Sequence, residues 1–194
     1  MRTTDFIDSI NREDKPIQRK LLKCIVGEQI VFHDPPDREF DDIVELNGKK
    51  GYFEYKMDDV AHKTGNMVLE LITYIPTEET HIIGESRVVI DGIQKKNIIE
   101  NIDKFSSPSK HIKPDKRFYF FYSIKYGNTY TSLLFRSKKI SDYFIETYRN
   151  RTMILTKTNN KRQYNKTWNT LSILYPIKEL REQAFKFKEK IIIL

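Results

Sequence analysis

Three residues in the first third of the chain have the types and spacing for metal-assisted hydrolysis. They are Asp42, Glu54 and Lys56, within DDIVELNGKKGYFEYKMDD (41–59). Side chains alternate across a strand, so Glu54 and Lys56 project from one face of a single strand. Asn47-Gly48 is a strong hairpin signal, and a hairpin brings the start of the preceding strand, at Asp42, beside the following one. Two carboxylates and an ammonium then converge. Hard carboxylate oxygens and waters are the ligands Mg²⁺ takes, with Mn²⁺ as a substitute. Such a metal polarises a phosphoryl oxygen and lowers the pKa of a bound water. A neighbouring lysine orients or deprotonates that water and offsets developing charge. The chemistry implied is hydrolysis of a phosphodiester. Asp41 is the alternative first carboxylate; Asp42 is preferred because it shares strand phase with Val44 and Leu46. The competing reading of Glu54 and Lys56 is a cross-strand salt-bridge ladder.

The elements that must hold these residues follow from periodicity. Ile17, Leu21, Leu22 and Ile25 recur at helical spacing, and Pro16 and Gly27 suit the ends of a helix over 16–26. Strands are expected at 29–33, 42–46, 51–57 and 67–74, with a loop at 58–66. A further segment at 82–91, a helix at 92–104 and a turn at 106–109 lead to the aromatic run RFYFFYSIKY (117–126). That run pairs through Gly127-Asn128 with 129–136, then a helix over 137–149 starts at a Ser137 or Ser141 cap. Phe118, Phe120 and Tyr122 on one face and Tyr119 and Phe121 on the other suit a buried central strand. The polar stretch 156–170 reads as a loop or edge, and 177–190 as a closing helix. The expectation is one domain spanning 1–194, of α/β class, with a mixed central sheet flanked by helices.

Composition restricts the partners. From Lys110 onward the chain carries 19 basic and 6 acidic residues; positions 1–109 carry 15 and 21. The acids that could hold a metal therefore lie mainly in the first half, and the second half supplies a positive field suited to a polyanion. Lys157, Lys161, Arg162 and Lys166, with Trp168 nearby, form the densest candidate surface for nucleic acid, which Lys138, Lys139, Arg149 and Arg151 extend. The single cysteine, Cys24, excludes an internal disulfide and is expected as a buried, inert thiol. The four histidines show no zinc spacing. No segment approaches the ~20 apolar residues of a membrane span. The first residues carry three aspartates and no apolar run, so a cytoplasmic protein is expected.

The 41–59 stretch resembles the PD-(D/E)xK nuclease superfamily, which includes restriction endonucleases and Holliday-junction resolvases. In that family an acidic residue opens the second core strand and an acid-x-lysine triplet lies on the third. The resemblance implies a restriction-endonuclease-like core, with Asp42 and Glu54 as metal ligands, the Tyr55 carbonyl as a further ligand, and Lys56 as the catalytic lysine. The family's lead proline is replaced by Phe40-Asp41-Asp42. Many members place a glutamate on the first helix; here that helix offers Gln18. The downstream HKTGNMVLEL (62–71) is similar to stretches that follow the lysine strand in some phage and bacterial members. There Lys63 could hold a phosphate, and Glu70 could lean back to the metal or fix Lys56. The implied activity is Mg²⁺-dependent DNA cleavage, resolvase-like or restriction-type, leaving 5′-phosphate and 3′-hydroxyl ends. Cutting both strands usually takes two such sites, so a homodimer is expected. The rival classes are a non-catalytic nucleic-acid-binding protein and an RNA nuclease on the same core.

Overall fold

A computed structural model describes residues 3–36, 40–74, 117–160 and 166–193. Helix α1 runs over Thr3–Val26 with Pro16 inside it, so proline does not open this helix as its sequence position suggested. A proline within a helix removes one backbone hydrogen bond, and here the chain stays helical on both sides of it. The end falls where the sequence places it: Gly27 has φ +128 and its N–H bonds the Lys23 carbonyl at 2.8 Å.

The central sheet has six strands in the order β1 (Val31–His33), β2 (Asp42–Leu46), β3 (Lys49–Asp58), β5 (Arg117–Tyr126), β6 (Thr129–Arg136) and β9 (Lys186–Ile192). It is mixed: β3 and β5 run parallel, and every other neighbouring pair is antiparallel. The β2–β3 turn is Asn47-Gly48, with φ +51 and +74, which is why an Asn-Gly pair sits there. A second sheet holds β4 (Asn66–Tyr74), β8 (Lys166–Pro176) and β7 (Met153–Asn160). The short helix α2 (Ala61–Thr64) precedes β4, α3 (Ser137–Thr147) follows β6, and α4 (Ile177–Gln183) joins β8 to β9. The class is α/β, with a mixed central sheet flanked by helices, as expected.

Two cores lie on the two faces of the six-stranded sheet. On one face Leu21 and Leu22 of α1 pack on Val44, Phe53, Phe121 and Leu134. On the other, Phe120, Tyr122, Leu133 and Phe135 pack with Ile140 and Phe144 of α3, Leu180 of α4, and Met67, Leu69, Ile173 and Tyr175 of the second sheet. The alternation of β5 residues between the two cores is the central-strand pattern expected for 118–122.

Several expectations change. Of the loop-or-edge reading of 156–170, the edge holds for β7, while β8 lies between β7 and β4, and β7 and β8 form a hairpin where Thr156 faces Thr170 and Thr158 faces Trp168. β-branched threonines favour that pleat despite their polarity. The closing helix stops at Gln183, and the segment KFKEKII after it pairs with β6 as β9. The loop at 58–66 contains α2, and α3 is preceded by Arg136 with no side-chain cap, so neither serine caps it. Cys24 is exposed, because Leu21 and Leu22 take the inward side of α1. The expected elements at 82–91, 92–104 and 106–109 lie outside the described residues.

Candidate functional site

The hairpin register fixes the faces of β3. Leu46 faces Lys49 and Asp42 faces Phe53, the last pair of the ladder. Residues directly opposed across an antiparallel ladder project to the same side. Asp42 therefore shares a face with Phe53 and Tyr55, while Glu54 and Lys56 project from the opposite face. Asp41 lies just before β2, and its N–H bonds the Phe53 carbonyl at 3.0 Å, so Asp41 and Asp42 both face Phe53 and the chain bulges there. From that bulge the Asp41 carboxylate reaches the β3 edge, within electrostatic range of both Asp42 and Glu54.

Asp42 is consequently a different kind of residue from the one expected. It is fully buried beneath α1, where Arg19 Nε donates to its Oδ2 at 2.8 Å and the Arg19 fork also reaches Oδ1. The Tyr55 hydroxyl donates to the same Oδ2 at 2.9 Å, and Lys15 Nζ stands 3.2 Å from Oδ1. Both carboxylate oxygens are occupied by cations and donors. This is a buried, bidentate ion pair that fastens α1 to the sheet. The pairing of Asp42 with Glu54 and Lys56 in one site is thus corrected: strand phase with Val44 and Leu46 marks the face under α1, not the face of Glu54.

Asp41 and Glu54 have a very different environment. Both are half-buried. The Tyr55 backbone N–H donates to Asp41 Oδ2 at 2.7 Å and fixes that carboxylate. Burial nevertheless raises the Asp41 pKa, against the lowering effect of that hydrogen bond. For Glu54, burial, with the nearby Asp41 charge adding to it, pushes the pKa up to about 8. Among the described residues no side chain hydrogen-bonds the Glu54 carboxylate and no cation forms an ion pair with it. The charged group that acts on Glu54 is an acid, Asp41, so the salt-bridge ladder fails at its central position.

Two further groups border this pair. Lys56 lies two positions along the same face, and its ammonium donates to the Val68 carbonyl of β4 at 2.8 Å. The N–H and C=O of one strand residue point to the same edge. The Tyr55 N–H points past the end of β2 to Asp41, so the Tyr55 carbonyl is directed to that edge as well. Two carboxylates and one carbonyl are hard oxygen donors of the kind Mg²⁺ takes, and a divalent cation would offset both the burial and the Asp41 repulsion that raise Glu54. The residues fit such an ion. Among the described residues no group of three His, Cys, Asp or Glu side chains comes together, so the side-chain donors number two.

The other candidates fall in several places. Gln18 is buried on the α1 face, accepting a 2.9 Å hydrogen bond from Ser123 Oγ, away from Glu54. Lys63 is exposed on α2. Glu70 lies in β4 opposite Ser172, but its side chain is outside the described residues. Lys157 and Lys166 lie in β7 and β8 at the far part of the hairpin; their side chains, like all of Lys161 and Arg162, are outside the described residues. Arg151 is committed to the fold: it pairs with Glu179 and donates to the Tyr143 hydroxyl at 2.8 Å.

The sequence reading named Asp58 nowhere, yet it ties three elements together. Its Oδ1 accepts from the N–H groups of Val60 and Ala61, and its Oδ2 accepts from the Tyr122 hydroxyl at 2.8 Å. An aspartate three residues before a short helix was the available signal. No family model, curated protein or solved structure matches the chain. No helix among the described residues is long and apolar enough to cross a membrane.

Proposed function

We propose that this chain is a Mg²⁺-dependent DNA endonuclease with a restriction-endonuclease-like core, resolvase-like or restriction-type, working in the cytoplasm as a homodimer. The observation that carries the reading is the closeness of two carboxylates: Asp41, held at the β3 edge by the Tyr55 N–H, acts on the half-buried Glu54, and Lys56 shares the Glu54 face of β3. An acid at the opening of the second strand and an acid-x-lysine triplet on the third are what the resemblance to PD-(D/E)xK nucleases leads one to expect, with Asp41 in the place first given to Asp42. A protein gains no stability from two half-buried carboxylates set near each other, and such unfavourable pairs cluster at sites that bind something.

In this reading Asp41, Glu54 and the Tyr55 carbonyl hold the ion. When bound, Mg²⁺ supplies Lewis-acid polarisation of a phosphoryl oxygen and an ionisable water. Tyr55 acts twice: its N–H orients Asp41, and its ring, tethered to Asp42, keeps β3 registered under α1. Lys56 offsets the charge that grows on the phosphate oxygens and orients the attacking water. Its hydrogen bond to Val68 holds the ammonium along β4, so the lysine enters the reaction already positioned. The basic second half of the chain supplies the attraction for the phosphate backbone.

The test is cleavage of supercoiled plasmid and of a four-way junction in Mg²⁺ by the wild type and Glu54→Ala. Cutting that disappears in the variant while DNA binding persists supports the reading. Binding without cutting by both proteins, in Mg²⁺ and in Mn²⁺, moves the chain to the non-catalytic nucleic-acid-binding class.

A further inference from the structure

The α1 face carries a pocket of about 430 Å³, a size that suits a small organic ligand, on the opposite side of the sheet from Glu54. Its walls are aromatic. The Phe53 and Tyr119 rings stack at 4.9 Å, and Phe185 stands 5.9 Å from Tyr119 while remaining 45 % exposed. The Phe185 N–H bonds the Leu134 carbonyl at 3.0 Å, so this open ring is held against the sheet edge rather than trailing from it. Gly51 lies in the floor, where an added Cβ would come within 2.9 Å of the Tyr119 ring.

The rim is cationic. Strand register sends Lys49, Arg117 and Lys186 to the same face as Phe53 and Tyr119, since they pair with Leu46, Gly51 and Leu134. All three line the pocket, and among the described residues no acidic side chain lines it and none of the three is ion-paired. Asn47 adds an amide at the hairpin turn. An open aromatic wall selects a flat ring, three unpaired cations select an anion, and an amide selects a ligand with hydrogen-bonding edges. A nucleotide has all three.

We propose that this pocket binds a nucleotide, with its base against Phe185 and Tyr119 and its phosphate among Lys49, Arg117 and Lys186. The ligand is either a free mononucleotide or an unpaired nucleotide of a DNA strand; both present the same ring and phosphate. The proposal stands apart from the nuclease reading, because the pocket and Glu54 lie on opposite faces of the sheet and Asp41 does not line the pocket.

The test is calorimetric titration in EDTA, which suppresses metal-dependent cleavage. The probes are 5′-dAMP, deoxyadenosine, a single-stranded decanucleotide and decanoate. The proteins are the wild type, Phe185→Ala and the double variant Lys49→Glu/Lys186→Glu, all at exposed positions, with thermal midpoints measured to show that each remains folded. Binding of dAMP or of the decanucleotide, weakened about tenfold by Phe185→Ala and by the charge reversal, supports the proposal. Deoxyadenosine should bind about tenfold more weakly than dAMP. Binding by the decanucleotide alone assigns the site to a DNA strand, and binding by dAMP assigns it to the free nucleotide as well. The proposal is overturned if neither nucleotide ligand binds, if both variants bind as the wild type does, or if decanoate binds more tightly than dAMP.

Discussion

Titrating Mg²⁺ into the protein at several pH values probes the Asp41–Glu54 pair through its own electrostatics. With the Glu54 pKa at about 8, the carboxyl is mostly protonated at neutral pH in the metal-free protein. A metal binds the ionised form, so binding must displace that proton. Below the pKa the ionised fraction falls about tenfold for each pH unit, which makes apparent affinity at pH 6 roughly seventyfold weaker than at pH 8.5. Proton release should approach about one per metal near pH 6.5 and fade above pH 9. Calorimetry in buffers of different ionisation enthalpy reads both quantities in one series. Glu54→Gln should bind weakly and lose most of the pH dependence. An affinity that stays flat between pH 6 and 8.5 with no proton uptake by the buffer refutes the coupling of Glu54 to a metal.

Two other consequences concern stability. Because burial raises the Glu54 pKa, the folded chain binds more protons than the unfolded chain between the ordinary carboxyl value of 4.5 and about 8. Stability without metal should therefore fall as pH rises through that window, and Glu54→Gln should recover about 2–4 kcal/mol at pH 8.5 and almost nothing at pH 4, read by urea unfolding. Asp42→Asn leaves Arg19 beneath the sheet without its bidentate partner, so it should cost about 3–5 kcal/mol in the same assay. A loss below about 1 kcal/mol there would contradict the role of Asp42 as a structural anchor.

The fold was legible where local signals were strong, and the carboxylates of the proposed site lie in the segment that the sequence singled out. Asn47-Gly48 identified the hairpin, and a two-residue turn leaves only one register, Leu46 on Lys49 and so Asp42 on Phe53. That count sets Asp42 on the Phe53 face, away from Glu54, while the bulge that carries Asp41 to the β3 edge leaves no local signal. The apolar phase of Val44 and Leu46 instead selected Asp42, because it assumes the buried face carries the chemistry. In this sheet both faces are buried, so burial phase does not distinguish them. The second sheet was less readable, since β4 and β8 are far apart in sequence and the β7–β8 hairpin is rich in Thr, Asn and Lys. Its pairing is tertiary, which no local window contains. Arg151 was read as surface charge for the same reason: Glu179 and the Tyr143 hydroxyl reach it only after α3 and α4 pack.

Nicking of supercoiled plasmid in Mg²⁺ by Asp41→Asn tests the central claim most directly, because it separates the two adjacent aspartates. Asp41 makes no cation pair among the described residues, so the variant should remain folded, keep its DNA affinity and lose Mg²⁺-dependent cleavage by at least about a hundredfold. Full cleavage by Asp41→Asn would contradict the account, and the metal ligands would then have to be sought elsewhere on the sheet.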